Sequence, residues 1–461
     1  MVSSRAEKAK KLAEPQRTRD ACPRADPHNR VDPPNHEAGV LRRWWSQLGA
    51  GLITGASDDD PSGIATYSQA GAQFGYQLAW TMLFTYPLMV VIQDISARIG
   101  RVTGHGIAGN LRQHYPPWVL QPIVALLVIA NTLNIGADLG GMAESIRLLV
   151  PALSGWVWIL FFGLTCTMTQ VLLSHRLYVL VLKWLTLGLL SYFGVLAVVD
   201  VNWARVAKAV IVPHWSFDAQ FWLMVVALLG TTISPYLFFW QAAQEVDDTK
   251  AHSQQLPLRR KPSQGASELA RIRLDTLVGM GFSNLVGLAI LIATASTLHG
   301  TSVEQVQTAA QAAQALRPLA GDFAFALFAL GIVGTGLLSV PVLAGSAAYA
   351  VGEARRWPVG LSRKPREAKA FYVTIALATT LGAAANVAAI NPMKALLWAA
   401  VLNGIVAVPV MVLLVRLAAN RKVMDRFVVA GPWRLLGWLA TAVMAVATIG
   451  WLASIVAARA A

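Results

Sequence analysis

Long apolar segments alternate with short polar ones along most of the chain. Each apolar segment is long enough to cross about 30 Å of hydrocarbon as a helix, so the pattern predicts about eleven membrane spans. We place them at about residues 45–74, 76–98, 117–148, 153–173, 176–200, 218–246, 271–298, 319–352, 369–388, 393–416 and 431–457. The fold class expected from this pattern is an all-α polytopic membrane protein.

Two predicted spans are interrupted, the first by Asp60-Pro61-Ser62-Gly63 and the sixth by the run from Thr231 to Tyr236. A proline removes a helix hydrogen bond, and in hydrocarbon the freed carbonyl needs another partner, such as a neighbouring helix, water or a cation. The breaks fall at corresponding places in two halves of five spans, at about residues 45–200 and 218–416, with an extra span at about 431–457. This outline is typical of secondary transporters built from an inverted 5+5 repeat, with an ion site at mid-membrane.

Composition agrees with a membrane protein, since 55% of the residues are hydrophobic, 13% are charged and the mean hydropathy is +0.51. The net charge of +14 does not indicate a nucleic-acid partner, because basic residues such as Arg101 and Arg271 fall in alternate loops, as the positive-inside rule requires. We therefore predict a multi-pass protein of the cell inner (plasma) membrane with a cytoplasmic N-terminus. Residues 1–40 are predicted to be a disordered cytoplasmic tail before a transporter domain at 41–461, and residues 247–270 a basic cytoplasmic loop.

Asp60 is the strongest candidate functional residue. A carboxylate at the bilayer centre costs roughly 2.5–3.5 kcal/mol on insertion scales and is usually kept for function. Asp58 and Asp59 precede it, but neighbours on a helix point about 100° apart, so we expect at most one of them to share the site. One of the others either lines the access path of cations or is a carboxylate bonded to structural partners. The chain has no Gly-x-Ser-x-Gly, His-Glu-x-x-His or P-loop motif, so we expect neither an enzyme nor a cofactor.

Five stretches of the sequence together resemble one known family. They are Asp60 to Gly63, Gln69 to Ala72 (QAGA), Gln93 to Gly104 (QDISARIGRVTG), Ala137 to Leu139, and Gly230 to Pro235. From about Gly49 to the last span, the chain resembles the natural resistance-associated macrophage protein (Nramp) metal transporters. The resemblance implies the LeuT-type fold, with spans 1 and 6 broken, and a divalent metal cation as the substrate.

The departures from the family pattern bear on which cation is carried. The family's sixth-span break reads Ala-Thr-Val-Met-Pro-His, and here Ser234 stands at the methionine. Soft sulfur favours transition metals, whereas oxygen ligands suit hard ions such as Mg²⁺. Gly63 stands at the family's asparagine ligand and is expected to leave extra volume for water beside Asp60, which suits a partly hydrated Mg²⁺. In both respects the chain looks like the Nramp-related magnesium transporter branch. We expect Mn²⁺ to enter this site as well, as a similar ion.

By this resemblance, the metal site combines one carboxylate, two main-chain carbonyls and one hydroxyl, with further groups near bound water. The carboxylate is that of Asp60, the carbonyls are those of Ser57 and Thr231, and the hydroxyl is that of Ser234. Gly63 provides the volume, and Tyr236 or Thr232 contacts bound water.

Proton coupling in the better-known family members uses a sixth-span histidine and two third-span acids. Here the histidine position is Tyr236, Asp138 matches the first acid, and the second falls on Gly141. The family's basic residue of span 6 falls on Asp248. We therefore expect uncoupled, facilitated transport, since a membrane potential contributes about 4.6 kcal/mol per 100 mV for a divalent cation. Protonation of Asp138 or Asp60 stays open, because burial raises the pKa of a carboxylate.

Asn284 and Asn403 are predicted to face the bundle interior, with helix–helix hydrogen bonding as their expected role. Two other functions stay open beside uncoupled import of Mg²⁺ and Mn²⁺. One is a proton-coupled Mn²⁺ or Fe²⁺ symporter of the usual Nramp kind. The other is a Na⁺-coupled amino-acid symporter, against which Asp60 counts because it would repel a substrate carboxylate. The expected partners are the cation and the lipid bilayer, and the oligomeric state is open.

Overall fold

The computed structural model describes residues 54–55, 57–172, 190–251, 255–301, 306–388 and 390–460. All of them belong to the compact unit formed by residues 47–461. Their regular secondary structure is helical, and no strand occurs within these ranges. The predicted cytoplasmic tail, residues 1–40, lies outside the described residues.

Seven α-helices lie in the described residues up to Ile211, six of them in the predicted first repeat and the seventh just after it. They are α1 (Pro61–Phe74), α2 (Trp80–Thr103), α3 (Ile107–His114), α4 (Pro117–Arg147), α5 (Gly155–Leu172), α6 (Ser191–Val198) and α7 (Trp203–Ile211).

Ten α-helices follow from Ala219 onward. They are α8 (Ala219–Thr232), α9 (Pro235–Ala251), α10 (Gly265–Thr297), α11 (Ala309–Ala313), α12 (Arg317–Ala320), α13 (Ala324–Arg355), α14 (Lys369–Ala385), α15 (Pro392–Ala418), α16 (Arg421–Met424) and α17 (Gly431–Ala460).

Nine helical segments of the described chain are long and apolar enough to cross a bilayer. They are Trp80–Thr103, Pro117–Arg147, Gly155–Leu172, Ala219–Lys250, Pro262–Thr297, Ala309–Arg355, Lys369–Ala388, Pro392–Ala418 and Gly431–Ala457. The two remaining predicted spans, 45–74 and 176–200, lie partly outside the described residues, which show α1 for the first and α6 for the second. The all-α polytopic class predicted from the apolar pattern is thus confirmed.

Both predicted helix breaks are present. Asp60 is extended (ψ 171°) and caps α1, which begins with Pro61 at its first position. In the second half, α8 ends at Thr232 and α9 begins at Pro235. Proline fits the first turn of a helix because the N–H that it lacks would be unpaired there anyway. The same residue type therefore starts the half-helix that follows the break in both halves of the chain.

Small residues let the helices around the breaks approach closely. The described helices α1 and α10 pack together, as do α8 and α15, α9 and α2, and α4 and α13. A Cβ atom at Gly71 would overlap Thr294 and the main chain of Leu291 on α10, and one at Gly230 would overlap the main chain of α15. Close backbone contact of this kind is the main source of attraction between helices in lipid.

The polar connection between the two halves is shorter than predicted. We expected a cytoplasmic loop over residues 247–270, but α9 continues to Ala251 and α10 begins at Gly265. The prediction fails because charged residues at these helix ends pack against protein. Asp247 accepts hydrogen bonds from the Tyr349 hydroxyl (2.6 Å) and the Leu361 amide (3.1 Å).

Candidate metal site at the two helix breaks

The carboxylate of Asp60 is held by the first turn of the helix that follows the first break. Its Oδ1 accepts hydrogen bonds from the Ser62 hydroxyl (2.6 Å) and the Gly63 amide (2.7 Å). Both donors belong to the first turn of α1, so Asp60 acts as its N-cap, a role in which aspartate satisfies otherwise unpaired amides. The side chain is 2% exposed. A buried negative charge is thus fixed at the start of the half-helix.

The other oxygen of Asp60 faces α4 and α9. Asn134 on α4 donates an amide hydrogen bond to Asp60 Oδ2 (3.2 Å), and the Tyr236 hydroxyl lies 3.5 Å from the same oxygen. The single phenolic proton of Tyr236 makes its shorter bond to the Ser57 carbonyl, at 3.0 Å. Tyr236, at the second break, therefore contacts both Ser57 and Asp60 at the first break. All four groups around the Asp60 carboxylate are hydroxyls or amides.

The second break is closed by hydroxyls of its own segment. Ser234 Oγ lies within hydrogen-bond distance of the Gly230 carbonyl (2.7 Å) and the Thr231 carbonyl (3.1 Å). Thr232 Oγ1 donates to the Leu228 carbonyl at 2.9 Å. Proline at 235 removes a donor from this turn, and the Ser234 hydroxyl compensates for it. The predicted ligand groups of Ser234 and Thr231 thus contact each other in this conformation.

Gly63 of the first break faces the Thr231 side chain of the second. A Cβ atom at Gly63 would lie 3.0 Å from Thr231 Oγ1, 3.3 Å from the Asp58 carbonyl and 3.5 Å from Asp60 Oδ1. The extra volume that we expected beside Asp60 is therefore not present in this conformation. The expectation was wrong because the threonine side chain of the facing break fills the space that the missing asparagine would occupy.

The side chains of Asp58 and Asp59 face α10, whereas Asp60 Oδ2 faces α4 and α9. Ser283 on α10 lies 2.6 Å from Asp58 Oδ2 and 3.3 Å from Asp59 Oδ1. Both carboxylates are fully buried. Of the three consecutive acids, Asp60 alone contacts Asn134 and Tyr236. The Ser283 hydroxyl donates to one of the two preceding carboxylates at a time, so the two alternatives left open above both stay predictions.

Asp138 lies one turn from Asn134 on α4, and therefore on the same helix face. Its Oδ2 accepts a hydrogen bond from the Ser339 hydroxyl of α13 at 2.8 Å. Two buried oxygens on this face, Asp138 Oδ1 and Asn134 Oδ1, have no hydrogen-bond partner among the described residues. An acid and an amide of α4 thus supply free oxygen atoms on the face that contacts Asp60.

Asn284 and Asn403 are both buried, at 8% and 1% exposure. Within the described chain, both side-chain polar atoms of Asn403 and the Asn284 Oδ1 have no hydrogen-bond partner. Their placement in the bundle interior agrees with the prediction. Asn403 does not form the expected helix–helix hydrogen bond, whereas for Asn284 that role stays a prediction.

Side chains of α2 hold the half-helix that follows the second break. Gln93 donates to the Leu237 carbonyl (3.0 Å) and to Gln241 Oε1 (2.5 Å), and Ser96 donates to the Phe238 carbonyl (2.5 Å). These carbonyls belong to the first turn of α9. The stretch from Gln93 to Gly104 that carried the family resemblance thus positions α9.

An ion-pair cluster fixes the other end of α9. Arg271 on α10 lies 2.6 Å from Glu245 and 3.1 Å from Glu268, and Arg101 on α2 lies 3.3 Å from Glu268. Arg101 also donates to Thr249 at 2.5 Å and is 1% exposed. Arg101 and Arg271 were predicted to be loop charges facing the cytoplasm. They are instead buried or half-buried, because the carboxylates of neighbouring helices neutralise them.

Sequence comparison identifies the family to which this arrangement belongs. A profile described as Natural resistance-associated macrophage protein-like matches residues 51–454. The chain belongs to the Nramp family. A divalent metal cation transporter MntH from Ralstonia nicotianae is 31% identical over 311 residues, which are 63% of this chain and 66% of that protein. Another MntH, from Deinococcus radiodurans, is 26% identical over 451 residues, which are 92% of this chain and 97% of that protein.

Solved structures agree on the fold. The manganese transporter of Eremococcus coleocola superposes with a TM-score of 0.68 at 17% identity, over 92% of this chain and 88% of that one. MhsT, solved in complex with L-phenylalanine, superposes with a TM-score of 0.55 at 13% identity, over 89% of this chain and 98% of that one. At these identities the likeness concerns the fold alone. It confirms the LeuT-type architecture that the family resemblance implied.

This Nramp chain departs from its family where the second third-span acid would stand. The position is Gly141, and a Cβ atom there would lie 2.9 Å from Leu396 Cδ1 of α15. Leu396 is fully buried. The space for a second acid on this face of α4 is therefore filled by an apolar side chain.

Asn134 is the main site residue that sequence reasoning missed. Its contact with Asp60 joins residues 74 positions apart. The available signal was its position one turn before Asp138 in an apolar span, which puts both side chains on one face. Ser339 had a weaker signal, since a serine in an apolar span commonly bonds its own helix. Among the described residues, no group of three or more His, Cys, Asp or Glu side chains is arranged to hold a metal ion.

Proposed function

We propose that this Nramp-family chain imports partly hydrated divalent cations, Mg²⁺ and also Mn²⁺, by uncoupled alternating access. The observation that carries the proposal is the position of Asp60. Its buried carboxylate lies where both helix breaks meet, and it is surrounded by the hydroxyls of Ser62 and Tyr236 and the amides of Gly63 and Asn134. Carboxylate, hydroxyl and amide carbonyl oxygens are the ligands that hard cations prefer, whereas the Gly63 N–H is a donor that orients Asp60.

A cation at this position takes the Asp60 carboxylate as its charged ligand. The free amide oxygen of Asn134 and the free Asp138 oxygen lie on the helix face that contacts Asp60, and both suit a cation or its bound water. The Ser57 and Thr231 carbonyls and the Ser234 hydroxyl remain the proposed ligands at the breaks. Each is now in a hydrogen bond with Tyr236 or with its own segment, so the ion exchanges those bonds for its own on binding.

Magnesium fits this arrangement because it dehydrates reluctantly and usually keeps several waters while one or two carboxylates bind it. Ser234 offers an oxygen where the family pattern has a thioether, so the preference for soft transition metals is removed. Since Thr231 fills the space beside Gly63, we propose that the waters kept by the ion lie on the side of the Asn134 and Asp138 oxygens.

Uncoupled transport is favoured by the residues at two positions that carry protons in the better-known family members. Tyr236 replaces a histidine, and a phenol has an ordinary pKa of about 10, so it does not exchange protons near neutral pH. Leu396 fills the space beside Gly141, where the second acid would stand. A membrane potential supplies about 4.6 kcal/mol per 100 mV for a divalent ion, which is sufficient to drive import without protons. We place the protein in the plasma membrane with its N-terminus in the cytoplasm.

A Na⁺-coupled amino-acid symporter is the alternative that the fold alone would allow. In such a protein the positive end of a half-helix attracts the substrate carboxylate. Here Asp60 already occupies the amide groups at the start of α1. A second carboxylate would be repelled from that position, so the geometry favours a cation.

The test is influx of Mg²⁺ and Mn²⁺ into proteoliposomes that contain the purified chain. Asp60→Asn keeps the size of the side chain but removes its charge, and Asp322→Asn removes an exposed carboxylate as a matched control. We expect influx of both ions, loss of influx in Asp60→Asn and normal influx in Asp322→Asn. Mn²⁺ influx without Mg²⁺ influx, or unchanged influx in Asp60→Asn, would contradict the proposal.

A further inference from the structure

An open cavity lies away from the helix breaks, between the C-terminal end of α15 and the N-terminal end of α17. Its volume is about 610 Å³. Arg416 lines it from the last turn of α15, and Arg434 lines it from the first turn of α17. The described residues that line the cavity include no aspartate or glutamate. Two arginines therefore share one open space without a carboxylate beside them.

The positive charge of both arginines is available to a ligand. Both side chains are exposed, and neither forms an ion pair within the part of the chain that the structure describes. In contrast, Arg101 and Arg271 are paired with carboxylates of neighbouring helices. A guanidinium group stays charged at every physiological pH. The cavity thus presents two cations to any anion that reaches it.

The start of α17 adds further positive potential. The first amides of a helix have no partner within it, and the helix dipole is positive at this end. The first turn of α17 has no acidic residue to balance that dipole, and Arg434 adds to it. Gly431 lines the cavity with φ at 60°, and a Cβ atom there would meet nothing within 4 Å. The helix start is therefore open to an anion, and phosphate groups commonly bind at such a place.

Contacts with neighbouring elements fix the two helix ends that form the cavity. The Val429 amide donates to the Ala418 carbonyl at 2.9 Å, which places the start of α17 beside the end of α15. Trp433 donates to Asp94 Oδ2 on α2 at 2.5 Å, and Arg273 on α10 lies 4.8 Å from the centroid of its ring. Trp433 thereby holds the main chain next to Arg434. A site whose walls are fixed in advance loses little freedom when it binds a ligand.

The cavity also has an apolar wall that extends along α17. Leu435 and Trp438 line it, and they are 70% and 39% exposed. Leu439 continues this exposed apolar surface at 48%. Tryptophan is enriched at the headgroup level of a bilayer, with its ring beside the acyl chains. A ligand with an anionic head and an apolar tail matches this wall and the arginines together, whereas a soluble anion would contact the arginines alone.

We propose that Arg416, Arg434, Leu435 and Trp438 form a binding site for the phosphodiester headgroup of an anionic phospholipid. We name it the α15–α17 lipid site. The two arginines and the first amides of α17 contact the phosphate, and Leu435 and Trp438 contact the glycerol and the acyl chains. Basic pockets between membrane helices on the cytoplasmic side bind anionic headgroups in this way. Through Trp433 and Arg273, the site lies on the side that we place in the cytoplasm.

The position of the α15–α17 lipid site gives the lipid a role. The helix α17 is the extra span outside the predicted 5+5 repeat, and it packs on both α15 and α8. The second break directly follows α8, which ends at Thr232. A lipid that bridges the ends of α15 and α17 therefore holds the extra span against the helices next to the metal site. Binding to the folded chain alone stabilises it, so the lipid should raise the apparent Tm.

The test is binding of phosphatidylglycerol to the delipidated full-length chain in detergent, measured by native mass spectrometry at increasing lipid concentration. Arg416→Gln and Arg434→Gln should each weaken binding about fivefold, as expected when one basic residue is lost from an anionic lipid site. The double variant should lose roughly the product of the two effects. Arg317→Gln removes an exposed arginine of α12 and is the matched control, which should bind normally. Phosphatidylcholine, whose headgroup has no net charge, should bind the wild-type chain more weakly.

Further measurements distinguish a lipid from a soluble anion. Trp438→Ala should weaken phosphatidylglycerol binding, and millimolar inorganic phosphate should not displace the lipid. Displacement by phosphate, together with normal lipid binding in Trp438→Ala, would assign the cavity to a soluble anion and overturn the proposal. Equal phosphatidylglycerol binding by the wild-type chain and the double arginine variant would also overturn it, as would an equal rise in their apparent Tm. Because both arginines are exposed, their substitution should leave the fold intact.

Discussion

The contact between Gly63 and Thr231 gives a sharp test of how the two breaks meet. Gly63→Ala would put a methyl group 3.0 Å from Thr231 Oγ1 and 3.3 Å from the Asp58 carbonyl, so one of them must move by a few tenths of an ångström. Overpacking of this kind costs about 1–3 kcal/mol. This strain raises the free energy of the ion-competent arrangement and lowers its population. The apparent affinity for Mg²⁺ then falls about tenfold for each 1.4 kcal/mol. We expect the KM for Mg²⁺ influx to rise by about tenfold or more.

A second substitution locates the strain. Thr231→Ala removes the nearest atom, so the Gly63→Ala, Thr231→Ala double variant should recover most of the lost affinity relative to Thr231→Ala alone. Thr232→Ala is the matched control, because the Thr232 hydroxyl bonds the Leu228 carbonyl at 2.9 Å and is not among the three atoms nearest a Cβ at Gly63. The assay is the concentration dependence of Mg²⁺ influx. It compares the wild-type chain, Gly63→Ala, Thr231→Ala and their double variant with Thr232→Ala and its double variant with Gly63→Ala. Equal recovery by both threonine substitutions, or none by Thr231→Ala, would refute the reasoning.

Four further predictions follow from single contacts. Asn134→Ala should weaken the apparent affinity for Mg²⁺ in influx assays about tenfold. Asn131→Ala should leave it unchanged, because Asn131 bonds Ser346 and the Leu343 carbonyl. Equal effects of the two substitutions would contradict this. Ser234→Met should raise competition by Cd²⁺ against Mg²⁺ influx because sulfur is soft, and Ser234→Ala should not. Glu245→Gln removes the carboxylate 2.6 Å from Arg271, which keeps Glu268 as a partner, and should lower stability by about 1–2 kcal/mol. Lys250→Ala, whose 3.9 Å pair is half-exposed, should change the apparent Tm little. Mg²⁺ influx should vary little from about pH 6.5 to about pH 8, because none of the described histidines lies within a membrane-long helix. Burial and Arg112 also lower the pKa of His105 and keep it neutral in this range. A steep pH dependence would count against uncoupled transport.

Local features of the sequence predicted the breaks correctly. Proline acts on its own helix, so Pro61 and Pro235 indicated where each span is interrupted without knowledge of the fold. Asp60 was identified for the same reason, since a carboxylate in an apolar segment is costly wherever its neighbours lie. The apolar pattern likewise predicted the nine described spans, because span length depends on the bilayer rather than on helix packing.

Features that depend on packing could not be predicted in this way. The space beside Gly63 was expected to be open, but Thr231 from the other half of the chain fills it. Arg101 was assigned to a loop from its charge, yet Glu268 and Thr249 pair with it inside the bundle. Asn134 was overlooked because its partner Asp60 is distant in sequence. In each case the deciding contact comes from a different helix, and a single sequence contains no record of that contact.

The most direct test of uncoupled Mg²⁺ import is simultaneous recording of Mg²⁺ and proton fluxes in proteoliposomes under an imposed inside-negative potential. An internal pH dye reports protons while a second dye reports Mg²⁺, and the Asp60→Asn protein gives the background for both. The account predicts Mg²⁺ influx that grows with the potential and no acidification above that background. Acidification in fixed proportion to metal influx, or Mn²⁺ influx with no Mg²⁺ influx, would contradict it.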